Sequence, residues 1–453
     1  MKISALNLLS VAALLSFLGC QSETKNQKKL IVKEEFISVS GKNASFYKII
    51  NEDGNLGLRF NEGEDFNVVV ENQLPFPTSI HWHGLILPNN QDGVANVTQF
   101  PIYPNETYPY SFKLRQTGTF FMHSHYGMQE QKLFTAPLII YPENQRDAQD
   151  VVLLFNDFTF ASANSILRNL KCQSPNMKMD KGKDLADVSY DAFLVNLKTF
   201  DDPDVIKVSK GEKVRLRLIN GAASTNFYVS LGDLQGELIA VDGNPIEPFK
   251  VKTLELAIAQ RADVMITISE KGGNFPIVIT GEGTSMQGGA VLTTGEISKI
   301  SLKSTLKHKT SGFTIAQEKE LKALQPLKEK KVDRSIEMLL SGNMKNYSWS
   351  INDQLWPNIT PIIVKKGERV SVTFNNTTTM SHPMHLHGHS FQVKAINGEQ
   401  FDGALRDTVL VLPNSTLTVE FDADNPGVWP FHCHNLYHQA AGMMTLLKYE
   451  TSN

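Results

Sequence analysis

Three ungapped repeats, a two-residue hydrophobic period and a length of roughly three domains predict an all-β chain of three consecutive Greek-key β-sandwich domains. The repeats read GEDFNVVVEN from Gly63, GEKVRLRLIN from Gly211 and GERVSVTFNN from Gly367, each reaching an asparagine nine places on, at Asn72, Asn220 and Asn376. They stand 148 and 156 residues apart in a chain of 453, which sets the size of one unit. Within each repeat apolar and polar residues alternate, the mark of a half-buried strand. Similar runs recur, LELAIAQ and LTVEFDAD among them, and sustained helical periodicity is scarce.

In chain order, Lys2 precedes an apolar run from Leu6 to Leu18 that ends in Gly19-Cys20 and a polar stretch, QSETKNQKK. A positive start, a short apolar core and small residues near a cut site read as an export signal, too short to span a bilayer. Residues 1–29 are therefore expected to be a signal peptide and polar tether. Gly19-Cys20 resembles a bacterial lipoprotein signal, which implies an exported protein, periplasmic or held at the outer membrane through a lipidated Cys20. Phe17 departs from that pattern, which usually has Leu there. Residues 30–145 form the first domain, 146–300 the second, with a polar insertion at 161–189, and 332–453 the third. Between the last two, residues 301–331 belong to a lysine-rich stretch that carries nine lysines over 297–331 and reads as an exposed connection. Forty-four basic against 47 acidic residues give a net charge of −3, with no footprint for nucleic acid. Three cysteines, Cys20, Cys172 and Cys433, exclude a disulfide framework.

Ten of the 12 histidines fall in four clusters: HWH at 81–83, HSH at 123–125, HPMHLH at 382–387 and HCHNLYH at 432–438. A lone histidine on a strand is usually structural, but residues i and i+2 of a strand share a face, so each His-x-His pair aims two imidazoles at one point. Neutral imidazole is a common ligand for copper and other first-row metals. His81 and His385 both lie 18 residues beyond their repeat glycines, and His83 and His387 both lie 20 beyond. The same offsets in the middle copy fall on Val229 and Leu231. Gly118 and Gly427 each precede their pair, His123/His125 and His432/His434, by five residues, which sets Ser124 where Cys433 stands. The first and third domains thus carry ligands at equivalent positions, the middle domain is a spacer, and eight imidazoles can meet across a domain interface around several metal ions.

Cys433 points to the strand face opposite His432 and His434. A thiolate, two imidazoles and a weak axial thioether make a blue-copper site, and His382, Cys433, His438 and Met443 supply one. Electrons arriving there could pass from the sulfur through the backbone into His432 and His434.

These residues resemble the multicopper oxidases: laccases, bilirubin oxidase and bacterial copper-tolerance oxidases. The likeness covers nearly all of the mature chain, through HWHG, HSH, HPMHLHG and HCHxxxHxxxxM. It implies three cupredoxin-like domains and four copper ions: a type-1 ion on His382, Cys433 and His438 with Met443 axial, a type-2 ion on His81 and His385, and a type-3 pair on His83, His123, His125, His387, His432 and His434. FMHSHYGMQEQ and HCHNLYHQAAGM look most like the exported copper-tolerance group. Bacterial relatives carry a methionine-rich insertion before a run similar to DLADVSYDAFLVN, where this chain has only Met177 and Met179. Met380 is a further soft candidate near the type-1 site. Asp92 matches a carboxylate that the family uses beside the cluster to relay protons, although Asp92-Gly93 is equally a turn signal. Gln439 stands where many relatives have Glu, and Asp407, in RDTVL, takes no role from the sequence.

The expectation is a monomeric enzyme that removes four single electrons from cuprous ion, a phenol or an aromatic amine and reduces dioxygen to water. A non-catalytic copper-sequestering export protein is the alternative, which a complete relay makes superfluous. A copper nitrite reductase is disfavoured by the third scaffold copy and the eight cluster histidines. Zinc lacks the redox chemistry that Cys433 would serve.

Overall fold

The computed structural model describes residues 27–143, 148–172, 185–296, 302 and 304–450. The signal peptide, Cys20, Met177 and Met179 lie outside them. Nearly all regular structure is strand; the helices, Ala163–Lys171, Ala316–Glu320 and Leu436–Ala440, are short.

Each sequence repeat is a central strand of one sheet. Asp65–Asn72 pairs in parallel with Lys28–Val39 and antiparallel with Thr107–Lys113. Lys213–Asn220 pairs the same way with Gln149–Phe158 and Arg261–Thr267, and Arg369–Asn376 with Arg334–Asn343 and Ser415–Asp422. Alternation does what it predicts: Phe66, Val68 and Val70 are buried in the first repeat while Asn67, Val69 and Glu71 are partly exposed. A second sheet covers each first one. In the outer domains it holds the histidine strands, Ile80–His83 and Gly118–Ser124 in one, His382–Leu386 and Val428–Cys433 in the other. In the middle domain Phe227–Ser230 takes the equivalent place, and Val229 and Leu231 are buried core.

The asparagine that closes each repeat is a corner clamp. Asn72, Asn220 and Asn376 are all buried, and each accepts from the backbone N–H two residues on. Each amide also donates to carbonyls on two segments: Phe76 and Ile102, Thr225 and Leu256, Met380 and Val411. One side chain thereby joins the end of one strand to the start of the other sheet.

Three segments carry structure that their composition does not show. The first strand begins at Lys28, inside the expected tether. The lysine-rich connection is a strap: Phe313 and Leu321 are buried, and backbone bridges join Thr305 to Met286 and Ala323 to Ile246. Its lysine content masks those apolar anchors. The 161–189 insertion holds the helix Ala163–Lys171, and near its end Val188 and the side chain of Asp187 are buried against the rest of the molecule.

Candidate metal centre

Strand register assembles the site. Ile80–His83 runs antiparallel to Gly118–Ser124 with His81 opposite His123. His382–Leu386 runs antiparallel to Val428–Cys433 with His385 opposite His432 and Met384 opposite Cys433. Trp82 and Met122, which alternate with the histidines on their strands, go into the core of the first domain, leaving the imidazoles on the inter-domain face. There the two hairpins meet ring by ring. Ring centroids are 3.9 Å apart for His81 and His387, 3.8 Å for His83 and His385, 4.9 Å for His123 and His434, and 5.3 Å for His125 and His432. All eight predicted cluster histidines are therefore brought together.

Outward nitrogens are tied to oxygen. Nδ1 of His81 and of His385 donate to the backbone carbonyls of Asp92 and Asp407, each at 2.9 Å. His387 Nδ1 donates to Asp92 Oδ2 at 2.9 Å, and His83 Nε2 to Asp407 Oδ1 at 3.1 Å. Asp92 closes a short turn, and its buried carboxylate lies against two cluster rings, His81 and His387. His81 Nε2, His385 Nε2, His125 Nε2 and His83 Nδ1 are buried with no hydrogen-bond partner. His387 Nε2 faces His432 Nε2 at 3.0 Å. Since the Nδ1 of each already donates, to Asp92 and to the Cys433 carbonyl, both facing nitrogens carry lone pairs. Opposed lone pairs in a dry site call for a cation, and the donor set fits copper.

Burial, reinforced by the neighbouring rings, holds His83, His123, His125, His385, His387 and His434 well below the ordinary imidazole range, and His432 at about 4. The rings are neutral, the form that binds metal.

On the other face of its strand, Cys433 Sγ lies 3.8 Å from His382 Nδ1 and 3.6 Å from His438 Nδ1, and those nitrogens are 3.1 Å apart. His382 turns its Nε2 to Thr378 Oγ1 at 2.8 Å. Met443 is fully buried, and its carbonyl accepts from the Cys433 amide. Burial pushes the Cys433 thiol up, so only a bound cation would stabilise the thiolate there. Met380 is also buried, two residues before His382.

Three multicopper oxidase family models match residues 35–145, 149–298 and 331–453. Multicopper oxidase MmcO of Mycobacterium tuberculosis is 33% identical over 417 residues, covering 86% of this chain and 81% of that relative. The chain belongs to the multicopper oxidases. Copper resistance protein A of Escherichia coli is 26% identical over 530 residues, 87% of each protein. The crystal structure of Fet3p, a multicopper oxidase that functions in iron import, shares the fold with a TM-score of 0.79 at 21% identity, over 93% of this chain and 90% of that one.

This multicopper oxidase, a copper-using oxidoreductase with cupredoxin-like domains, also has site residues that sequence reasoning passed over. Asp187 is buried with Oδ2 3.3 Å from His438 Nε2, and the Tyr347 hydroxyl donates to the same oxygen. Glu130 is buried, Oε2 3.6 Å from His123 Nδ1, and burial raises its carboxyl well above the usual range. The acid in MQEQ was visible as a charge beside HSH; nothing local marks Asp187. Gln439 points instead to the Met444 sulfur, 3.9 Å away.

Proposed function

We propose that this multicopper oxidase takes single electrons from a small reductant at a site on His382, Cys433, His438 and Met443 and uses them to reduce dioxygen at the eight-histidine cluster. When bound, the copper ions would accept four electrons singly and deliver them, with four protons, to one dioxygen, giving two waters. The observation that carries this reading is Cys433: its sulfur belongs to one constellation while the next residue on either side, His432 and His434, belongs to the other. Two sets of ligands are thus joined by a few covalent bonds of backbone. The family resemblance assigns His81 and His385 to a type-2 ion and the other six cluster rings to a type-3 pair; the unpartnered Nε2 atoms of His81 and His385 and the facing nitrogens of His387 with His432 and of His123 with His434 support that assignment.

The chain's own groups have separate duties. Asp92 keeps Nδ1 of His81 and His387 turned outward, so that their Nε2 atoms face the interior. It is also the carboxylate best placed to hold a proton beside the cluster. His438 is where an electron would arrive, and its outer nitrogen is buried against Asp187. A carboxylate there can attract a compact cation such as cuprous ion or accept the hydroxyl proton of a phenol, so both donor classes suit the site. Relatives called copper resistance protein agree with a role in copper tolerance, and the amino-terminal sequence supports export with a lipid anchor on Cys20.

Copper-loaded protein, given cuprous ion or a panel of phenols, tests the whole reading by dioxygen uptake. Sustained uptake, absent in Cys433→Ser, is the expected result. Uptake that ends after a stoichiometric burst would instead identify a sequestering protein.

A further inference from the structure

The middle domain supplies no ligand, yet one of its side chains ends at the cluster. Arg261, on the strand Arg261–Thr267, is fully buried and grips Asp407 of the third domain with both arms, Nη1 to Oδ1 at 2.8 Å and Nη2 to Oδ2 at 2.5 Å. Its Nε donates to the Thr119 carbonyl of the first domain at 3.2 Å, and Nη1 to its own domain's Ala259 carbonyl at 2.9 Å. Asp242 steadies the backbone, accepting from the Arg261 N–H at 2.9 Å. A single guanidinium therefore touches all three domains.

What it grips matters. His81, His123, His385, His387 and His432 each turn Nδ1 to an oxygen. His83 is reversed: Nε2 meets Asp407 Oδ1 at 3.1 Å and Thr408 Oγ1 at 3.2 Å, while Nδ1 is buried and unpartnered. A reversed ring needs an acceptor fixed from outside its own strand, and Asp407 is that acceptor. The same residue's backbone carbonyl takes the Nδ1–H of His385, so Asp407 touches a ring from each outer domain, and its carboxylate sets the one from the first. A carboxylate held at one oxygen can still swing; held at both by a planar fork it cannot. The chain makes room for this pair with Gly84, directly after His83, where φ is +88° and an added Cβ would lie 2.5 Å from Arg261 Nη2 and 2.6 Å from Asp407 Oδ2.

We propose that Arg261 is a positioning residue of the cluster, fixing Asp407 so that His83 presents Nδ1 to the metal. The proposal rests on the copper-cluster reading above. A plain inter-domain tie would use the same contacts, and Arg217 is the natural comparison. It too is buried, and it joins Thr119 of the first domain to Asp263 and Asp150 of the second, with no histidine beyond.

Wild type, Arg261→Gln, Arg261→Lys and Arg217→Gln would be loaded with cuprous ion under nitrogen and then oxidised. Copper per chain, the blue thiolate absorption and the electron paramagnetic resonance of the copper would be read, with thermal unfolding of the metal-free proteins alongside. Arg261→Gln should keep the blue band yet lose one copper per chain or turn the silent, coupled pair into a resonance signal. Arg261→Lys, which keeps charge without the fork, should show the same loss at a higher unfolding temperature, and it decides the matter if Arg261→Gln does not fold. Arg217→Gln should lower the unfolding temperature and leave every copper signature intact. Arg261 variants with wild-type copper content and a silent pair would overturn the proposal, reducing Arg261 to a tie. Wild type that itself lacks the blue band and the coupled pair would instead defeat the cluster reading beneath it.

Discussion

Cys433 sits between two histidines that face the cluster, while its own sulfur faces His382 and His438. Because neighbouring residues on a strand point to opposite sides, the separation of the two constellations is a property of one dipeptide step. Cys433→Ser should abolish blue absorption and reduce donor oxidation to background, with copper still bound at the cluster; metal analysis and the visible spectrum check both halves. Asp92 is the complementary case. Asp92→Asn keeps the size and the backbone carbonyl that holds His81 but removes the carboxylate from His387. If that carboxylate serves proton transfer, dioxygen use should fall by about 10²–10⁴-fold. The blue band should persist, since no atom of Asp92 touches His382, Cys433 or His438 in the hydrogen bonds and ion pairs found among the described residues.

The repeat strands test how far one structural device has been put to use. Asn220 and Asn376 clamp equivalent corners, but Asn376 Oδ1 also accepts from the Thr378 hydroxyl, and that hydroxyl oxygen meets His382 Nε2. Truncating either asparagine leaves buried carbonyls unsatisfied at about 1–3 kcal/mol apiece. Asn220→Ala should therefore lower the unfolding temperature and leave the copper spectrum alone, whereas Asn376→Ala should do both, shifting or broadening the blue band; matched melting curves and spectra distinguish them. These same strands explain what could be read in advance. A period of two and a constant offset from each glycine carry the fold class and the facing of His81, His83, His385 and His387, because strand geometry is local. Asp187 and Arg261 escaped because their partners are set by topology: Tyr347 lies 160 residues from Asp187, and Asp407 lies 146 from Arg261. Asp407 could be named from the sequence but not given a role, since its role exists only once three domains converge on it.

Imidazoles from the first and third domains meet at the interface between them, and this makes the whole molecule's stability depend on protons and metal. In the metal-free protein seven of these buried rings are held neutral below the ordinary histidine range: His432 until about pH 4, with His83, His123, His125, His385, His387 and His434 also well below that range. In the unfolded chain they take up protons below about pH 6.5. Between those limits the unfolded state binds more protons, so folding stability rises with pH and is lost as pH falls, by up to about 1.4 kcal/mol per pH unit for each such ring. Copper occupies the nitrogens that protons would otherwise seek, and a ligand bound only to the folded form adds stability by mass action. Calorimetry should thus show the metal-free protein melting at progressively lower temperature from about pH 6.5 to about pH 4.5, with a much flatter dependence when copper is bound. The loss should appear first in the two outer domains, because Val229 and Leu231 stand in the middle domain where the outer ones carry His81, His83, His385 and His387. A metal-free protein whose melting temperature does not move across that range would mean that these seven rings are not packed together in the buried interface from which its pH dependence follows.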